Sequence, residues 1–246
     1  MRALFEINPA IERAAAAERY AATGRVQVRD VLTRETAEEI RTILAQQTPW
    51  GVAVQAGFHD PAGPRQFRAD ELATRTGQQT AQAAAEAAHL AISGGDYAFL
   101  HARYSLVEAY LGKWAEGSPH DLLVEYINAE DFLGLAREIT GFPKLIKADA
   151  HASLFAPGHF LTNHSDEQAE EGWRVAYVLN FAPGDWHTDW GGYLVFYDDE
   201  GDIVEGFRPR FNALNLFRVP QAHSVTYVPP FAPAGRLAIS GWLRDR

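Results

Sequence analysis

The segment "HFLTNHSDE", His159 to Glu167, places a histidine and an aspartate two positions apart shortly after an apolar pair. Alternate side chains of a β-strand point to the same side, so a strand here would put His164 and Asp166 on one face. A neutral imidazole and a carboxylate are both ligands of transition metals. The spacing therefore predicts two members of a metal site, for which the rest of the chain must supply a third.

The candidate for the third ligand is His223, which begins the strand-like segment "HSVTYV". Four strand-like segments lie between Asp166 and His223, enough to bring a later strand back beside an earlier one in a jelly roll. Two histidines and one carboxylate on one face leave the remaining positions of an octahedral metal open, as in non-haem Fe(II) oxygenases. We therefore predict that His164, Asp166 and His223 are metal ligands and the catalytic centre.

An arginine, Arg236, begins the last strand-like segment, "RLAISGWL", and shares a face with Ser240 by alternation. An unpaired guanidinium inside a barrel is unfavourable, so an inward Arg236 needs an anion, and its planar fork suits a carboxylate. A metal that chelates a 2-oxo acid and a deep arginine for the far carboxylate together describe a site for 2-oxoglutarate. Arg236 and Ser240 are therefore predicted contacts of this co-substrate.

Five blocks of the sequence resemble the Fe(II)- and 2-oxoglutarate-dependent dioxygenases, specifically their prolyl-hydroxylase-like branch. In order, within residues 145–246, they are "FAPGHFLTNHSDE", "RVAYVLNF", "DWGGYLVFYD", "PRFNALNLFRVPQAHSV" and "RLAISGWL". The resemblance implies hydroxylation with Fe(II), O2 and 2-oxoglutarate, with ascorbate as a supporting reductant. It places the iron ligands on His164, Asp166 and His223, and the 2-oxoglutarate arginine on Arg236.

Three positions depart from the pattern of these relatives. Asn180 stands where a tyrosine often helps to hold 2-oxoglutarate, Phe155 replaces another frequent tyrosine, and Ala238 replaces a frequent serine. We expect Asn180 to contact the co-substrate by a hydrogen bond instead. Because Asp166 is retained, a halogenase, which opens that coordination position for halide, is not indicated.

A second histidine–aspartate pair with the same spacing occurs in "HTD", His187 to Asp189. It lies between "PGDW" and "WGG", which is typical of a loop. Choosing it as the metal pair would leave only three strands before His223. We therefore predict that this pair is a loop element near the mouth of the site.

The elements that must position these residues divide the chain into two parts. From residue 145 onward, eight short segments rich in Val, Ile, Phe, Tyr and Trp are separated by Gly, Pro and Asp, which is typical of a closed antiparallel sheet. Residues 1–144 show mainly helical patterns. We predict an α+β fold: a double-stranded β-helix, or jelly roll, over 145–246, with an N-terminal helical layer, 1–144, packed on the sheet in a single domain.

The composition narrows the possible partners. The chain has 246 residues, a formal net charge of -10 and no cysteine, so disulfides and thiolate sites are excluded. Its scattered Lys and Arg argue against a nucleic-acid partner. No segment has the length of a membrane span or the pattern of a signal peptide, so we expect a cytoplasmic protein.

Three functions remain open at this point. The first is a hydroxylase of a prolyl or other amino-acid side chain in a peptide or protein, with prolyl favoured by the resemblance alone. The second is a hydroxylase of a free amino acid or small metabolite. The third is a jelly-roll module that binds metal without turnover. Succinate release triggered by a substrate would distinguish the third function from the first two. The sequence does not indicate the oligomeric state.

Overall fold

The computed structural model describes residues 4–166 and 171–246. The helices in those ranges are α1 Arg13–Thr23, α2 Arg34–Gln46, α3 Ala69–Leu72, α4 Arg75–Ser93, α5 Leu106–Leu111, α6 Pro119–Ile127 and α7 Glu130–Thr140. The strands of the first half are β1 Arg25–Arg29, β2 Gly51–Ala56, β3 Arg65–Phe67 and β4 Ala98–Tyr104. Those of the second half are β5 Lys147–Ala148, β6 His151–Phe155, β7 Phe160–His164, β8 Trp173–Phe181, β9 Leu194–Tyr197, β10 Ile203–Phe207, β11 Phe211–Arg218, β12 His223–Val225 and β13 Arg236–Arg244.

The strands form a sheet that curls into two facing layers. Its order is β1-β11-β8-β13-β6-β4-β7-β12-β9-β10, and the named pairs are antiparallel. In the second half of the chain, β6, β8, β11 and β13 lie on one side of β4 in this order, and β7, β9, β10 and β12 lie on the other, as in the two layers of a jelly roll. The predicted α+β jelly-roll class is confirmed.

The pairing of β12 with β7 brings distant parts of the chain together. His223 lies opposite His164 in this register, although 59 positions separate them (223 − 164). On the other side of the barrel, β13 pairs with both β6 and β8. The return of the "HSVTYV" segment beside the "HFLTNH" segment, predicted from the count of intervening strands, is confirmed by this register.

The helices cover the outer face of the larger layer. Apolar side chains of α2, among them Ile40 and Leu44, are buried in one cluster with outward residues of β8 and β11, among them Leu179 and Leu214. The alanines on one face of α4 are buried against β2 and β4 in a second cluster. Burial of the apolar side chains on one face of each helix, rather than helix propensity alone, holds these helices on the sheet.

The first half of the chain also contributes to the barrel, which the sequence analysis did not anticipate. Strand β4 lies between β6 and β7, and β2 extends the sheet from β4. The inward side chains of β4 therefore face the same interior as those of β6 and β13. Residues 1–144 are consequently more than a helical support, because they supply one wall of the interior.

A glycine pair, Gly191 and Gly192, permits a close backbone approach beside this interior. Their φ angles are 63° and 67°, in the left-handed region that favours glycine. A Cβ on Gly191 would overlap the carbonyl oxygen of Tyr227. The turn that results points the carbonyl oxygen of Gly192 at the guanidinium of Arg236.

None of the helices in the described ranges is both long and apolar enough to cross a membrane.

Candidate active site

Two histidines and one aspartate converge at one end of the barrel. His164 ends β7, His223 begins β12, and Asp166 follows β7 by two residues. A Nε2 to carboxylate-oxygen distance of 3.4 Å joins His164 to Asp166, and one of 3.5 Å joins His223 to Asp166. One ligand atom from each residue lies within 4.8 Å of the others.

Each imidazole is held with its Nε2 atom free for a ligand. The Nδ1 atom of His164 is 2.9 Å from the carbonyl oxygen of Thr162, and that of His223 is 2.8 Å from the carbonyl oxygen of Gln221. A carbonyl oxygen only accepts, so the proton of a neutral ring lies on Nδ1. The lone pair on each Nε2 is then on the side of Asp166. Metal ligation through Nε2 requires this tautomer, with the proton on Nδ1.

The protonation states of the group also suit a cation. Burial, followed by the charge of His164, lowers the pKa of His223 to about 4, so this ring is neutral at neutral pH. Burial by itself would raise the pKa of Asp166, but its interactions with His164 and His223, together with the hydrogen bond from Trp242, outweigh burial and lower that pKa. Asp166 is therefore an ionised carboxylate and His223 a neutral imidazole, which are the forms that bind a metal cation.

Asp166 reaches the histidines by a turn, not by strand alternation. Strand β7 ends at His164, and Asp166 has a φ of 57°, which is uncommon for a residue other than glycine. Its carboxylate accepts a hydrogen bond of 3.0 Å from the indole nitrogen of Trp242. The expectation that a continuous strand places His164 and Asp166 on one face is wrong, because the chain leaves the sheet between them.

The donor set fits Fe(II). Two imidazoles and one carboxylate are the ligands of the facial triad in non-haem Fe(II) oxygenases. Backbone carbonyl oxygens accept from Nδ1 of both rings, and the indole of Trp242 donates to the carboxylate, so all three ligand side chains are held in fixed orientations. Among the described residues, His164, Asp166 and His223 are the histidine and acidic side chains that lie close enough together to hold a metal ion.

A buried arginine, Arg236, lies in the same cavity. It is 2% exposed, and burial lowers its pKa to about 10, so it still carries a charge at neutral pH. Its Nε donates to the side-chain oxygen of Asn180 at 3.0 Å, and Nη1 donates to the carbonyl oxygen of Gly192 at 3.1 Å. Among the described residues, no acidic side chain forms an ion pair with it, so an anionic ligand is the natural partner.

The other two predicted co-substrate contacts are placed differently. Asn180 is buried behind Arg236, and its amide nitrogen donates to the carbonyl oxygens of Val178 and Ala213. Asn180 thus orients the guanidinium. Ser240 does line the cavity, and its hydroxyl lies 3.1 Å from Nε2 of His151.

The alternative pair, His187 and Asp189, lies in a 3₁₀ turn that spans Thr188–Trp190. Their side chains are 59% and 74% exposed and lie 3.4 Å apart. In the described part of the chain, no third ligand joins them in a metal-like group.

Strand β4 adds cavity residues that the sequence analysis missed. Phe99, His101 and Arg103 line the cavity together with the metal group and Arg236. The segment "YAFLHARY" alternates polar and apolar residues, and this signal, two polar side chains at strand spacing in an apolar run, was available. Tyr97 also lines the cavity, with its ring centroid 6.0 Å from that of His164.

Two buried histidines of the cavity wall predict how stability depends on pH. Burial, and then the charge of Arg103, lowers the pKa of both His101 and His151 well below 6.5. The unfolded chain therefore binds more protons than the folded chain below that value. The free energy of unfolding is expected to fall as the pH falls below about 6.5, by up to about 1.4 kcal/mol per pH unit for each histidine.

Urea unfolding of the metal-free protein, followed by tryptophan fluorescence at pH values above and below 6.5, measures this dependence. The His101→Phe variant keeps an aromatic ring against Phe155 and removes one titrating group. Its pH dependence should be shallower by the contribution of one histidine. An unchanged slope would contradict the assignment of a neutral His101.

Residues 150–244 match the family described as the 2OG-Fe(II) oxygenase superfamily. No curated protein sequence matches the chain significantly.

Three solved structures illustrate the fold. A prolyl-4-hydroxylase from Pseudomonas putida has 19% identity and a TM-score of 0.57, with 95% of this chain and 99% of that chain covered. A 2OG-Fe(II) oxygenase family oxidoreductase from Burkholderia pseudomallei has 11% identity and a TM-score of 0.58, with coverages of 98% and 94%. The alpha-ketoglutarate-dependent epimerase SnoN of nogalamycin biosynthesis has 14% identity and a TM-score of 0.54, with coverages of 97% and 84%.

The family match covers the segment that carries all the predicted metal ligands and Arg236. It confirms the resemblance and the enzyme class predicted from the sequence. The solved structures share the fold, and at these identities they carry no information about the substrate.

Proposed function

From the premise that residues 150–244 form a segment of the 2OG-Fe(II) oxygenase superfamily, we propose that this protein is an Fe(II)- and 2-oxoglutarate-dependent hydroxylase. The observation that carries the proposal is one cavity that contains both a His-Asp-His group and a buried guanidinium without an acidic partner among the described residues. The first suits the metal and the second suits the far carboxylate of 2-oxoglutarate.

In this proposal His164, Asp166 and His223 hold Fe(II), which with 2-oxoglutarate and O2 converts a C–H bond of the substrate into C–OH and releases succinate and CO2. Arg236 binds the far carboxylate, and Asn180 orients its guanidinium. Ser240 borders the co-substrate on the β13 wall.

The surrounding side chains keep this chemistry in place. The indole of Trp242 holds the carboxylate of Asp166 towards the two imidazoles. Apolar residues such as Leu161, Leu194 and Val225 line the same cavity and limit the access of water. An apolar lining that excludes water strengthens the attraction between Arg236 and a carboxylate, because the local dielectric constant is low.

The proposed substrate group is an amino-acid side chain, and a prolyl side chain in a peptide is the first candidate on the sequence resemblance. The cavity volume is about 170 Å³. An engineered protein cavity of about 150 Å³ accepts benzene. The enclosed interior therefore has room for one small ligand such as the co-substrate, while most of a peptide would lie outside.

A free amino acid or other small metabolite is the second candidate, and one observation favours it. Arg103, a second arginine of the cavity, has a buried Nε atom without a hydrogen-bond partner. A free acid offers it a carboxylate, whereas the interior of a peptide chain does not.

The first test of the proposal is spectroscopic and is made without oxygen. Addition of Fe(II) and then 2-oxoglutarate to the metal-free protein is expected to produce the weak visible charge-transfer band of a 2-oxo acid chelated to ferrous iron. Neither component should produce the band alone. Absence of the band from the wild-type protein would overturn the proposed function and favour a metal-binding module without turnover.

Turnover is then measured as succinate released in air, with and without ascorbate, whose requirement stays a prediction. Proline-bearing peptides and free amino acids are added separately. Release stimulated by peptides alone supports the first substrate candidate. Release stimulated by free acids alone supports the second.

A further inference from the structure

We infer that Arg103 and His101 of β4 form a second carboxylate-binding site, which holds the acid group of a small primary substrate in the iron cavity. This inference rests on the proposed function and favours the second of its two substrate candidates over the first. The substrate would be a free carboxylic acid, such as an amino acid, rather than an internal residue of a peptide.

Both side chains line the cavity, and Arg103 also borders a neighbouring cavity beside Gln66 and Arg68. Phe99, His101 and Arg103 alternate along β4, and all three line the cavity that holds the metal group and Arg236. The positive charge of Arg103 contributes to lowering the pKa of His101 and of His151. The guanidinium therefore lies close to both imidazoles, inside the barrel.

Both side chains also have unused hydrogen-bonding atoms. Nε of Arg103 and Nδ1 of His101 are buried and without a partner in the described structure. A buried polar atom without a partner is destabilising, so a ligand that supplies hydrogen-bond partners would be bound favourably here. Among the described residues, the charge of Glu108 favours the charged form of Arg103, but this exposed side chain forms no ion pair with it.

The register separates this site from the one at Arg236. Arg103 pairs with Ser153, and Ser153 pairs with Ala238, two residues beyond Arg236 on β13. Two residues along a strand span about 7 Å, and two strand spacings, from β4 across β6 to β13, span about 10 Å. A carboxylate on Arg103 would therefore lie beside the co-substrate and not in its place.

The same register places the second site towards the metal group. Along β13 the order of inward residues is Arg236, Ala238, Ser240 and Trp242, and Trp242 donates to Asp166. Arg103 is level with Ala238 across the sheet, and Ala238 is two residues nearer to Trp242 along β13 than Arg236 is. An acid held there would have its carbon chain between the two arginines and the metal ligands.

The two side chains suit a carboxylate chemically. The planar guanidinium can bind both oxygens of a carboxylate, and a neutral imidazole can add one donor. The ring of His101 is stacked on that of Phe155, with centroids 4.8 Å apart and planes within 10°, which fixes its direction. The cavity contains two arginines, and neither forms an ion pair with an acid among the described residues. It is therefore matched to two carboxylates, one from the co-substrate and one from the primary substrate.

The test uses the full chain loaded with Mn(II), which replaces Fe(II) without turnover. Calorimetry first measures the binding of 2-oxoglutarate to wild type, Arg103→Gln, His101→Phe and the surface control Arg34→Gln, whose side chain is 85% exposed. A panel of common L-amino acids, 2-hydroxy acids and short dicarboxylic acids is then titrated into the 2-oxoglutarate complexes. Each acid is paired with its primary amide.

At least one acid is expected to bind the wild-type complex, with its amide about 100-fold weaker. Arg103→Gln should lose about the same factor for the acid, and His101→Phe about 10-fold, while both bind 2-oxoglutarate as the control does. Partial recovery in Arg103→Lys would further support a charge-based site.

Three outcomes would overturn the inference: no acid of the panel binds, acids and amides bind equally, or Arg103→Gln loses affinity for 2-oxoglutarate instead. The last would assign Arg103 to the co-substrate. Failure of 2-oxoglutarate to bind even the wild-type Mn(II) protein is a different result, because it refutes the proposed function itself.

Discussion

Replacement of His223 by alanine is expected to abolish turnover and to weaken Fe(II) binding by at least about 100-fold, more than the loss of a residue that only hydrogen-bonds to a metal ligand typically does. His223 is 4% exposed, and its Nε2 faces the carboxylate of Asp166. Its loss leaves two ligands where a facial triad needs three. The change is measured as Fe(II) retained on anaerobic dialysis and as succinate released.

The control is His187→Ala, which makes the same chemical change at an exposed side chain and should leave both quantities unaltered. Because the ring of His223 packs 4.7 Å from that of Phe217, alanine also creates a cavity there. Asp166→Asn covers this concern, since an amide oxygen can still accept from Trp242 while the charge is lost. An Asp166→Asn protein with wild-type iron content and turnover would refute the metal assignment.

The strands of the second half and the approach of His223 to His164 could be predicted from the sequence, since both follow from local patterns. Runs of β-branched and aromatic residues separated by Gly, Pro and Asp predict strands. The number of strands between His164 and His223 then decides which of them become neighbours. The type and order of residues were sufficient for this part.

The turn at Asp166 could not be predicted in the same way. Its φ of 57° is a conformation that asparagine, aspartate and glycine adopt more readily than other residues, but nothing in "NHSDE" requires it. The conformation is fixed by tertiary contacts, above all the hydrogen bond from Trp242, 76 positions away. The spacing predicted that His164 and Asp166 lie side by side on one strand, but in the structure a turn brings them together.

The place of β4 was missed for a related reason. Alternation in "YAFLHARY" indicates a strand, but no local signal says that this strand enters the sheet between β6 and β7. Non-local pairing of this kind is decided by the whole topology. As a result, the predicted site did not include His101 and Arg103.

Replacement of Arg236 by glutamine is expected to raise the dissociation constant of 2-oxoglutarate by about 100-fold or more, while metal binding stays unchanged. Arg236 is a buried cation whose described partners are the neutral oxygens of Asn180 and Gly192. A carboxylate gives that cation its counter-charge, and in a buried site the attraction is only weakly screened. Calorimetry with the Mn(II)-loaded protein measures the change directly.

Two further variants show whether the effect belongs to the guanidinium. Arg236→Lys keeps the charge but loses the planar fork, so its affinity should lie between those of the wild type and Arg236→Gln. Arg34→Gln removes a surface charge and should have no effect. If Arg236→Gln bound 2-oxoglutarate normally and Arg103→Gln did not, the co-substrate would lie on β4. The two arginines would then exchange roles: Arg103 would bind 2-oxoglutarate, and Arg236 would bind the carboxylate of the primary substrate.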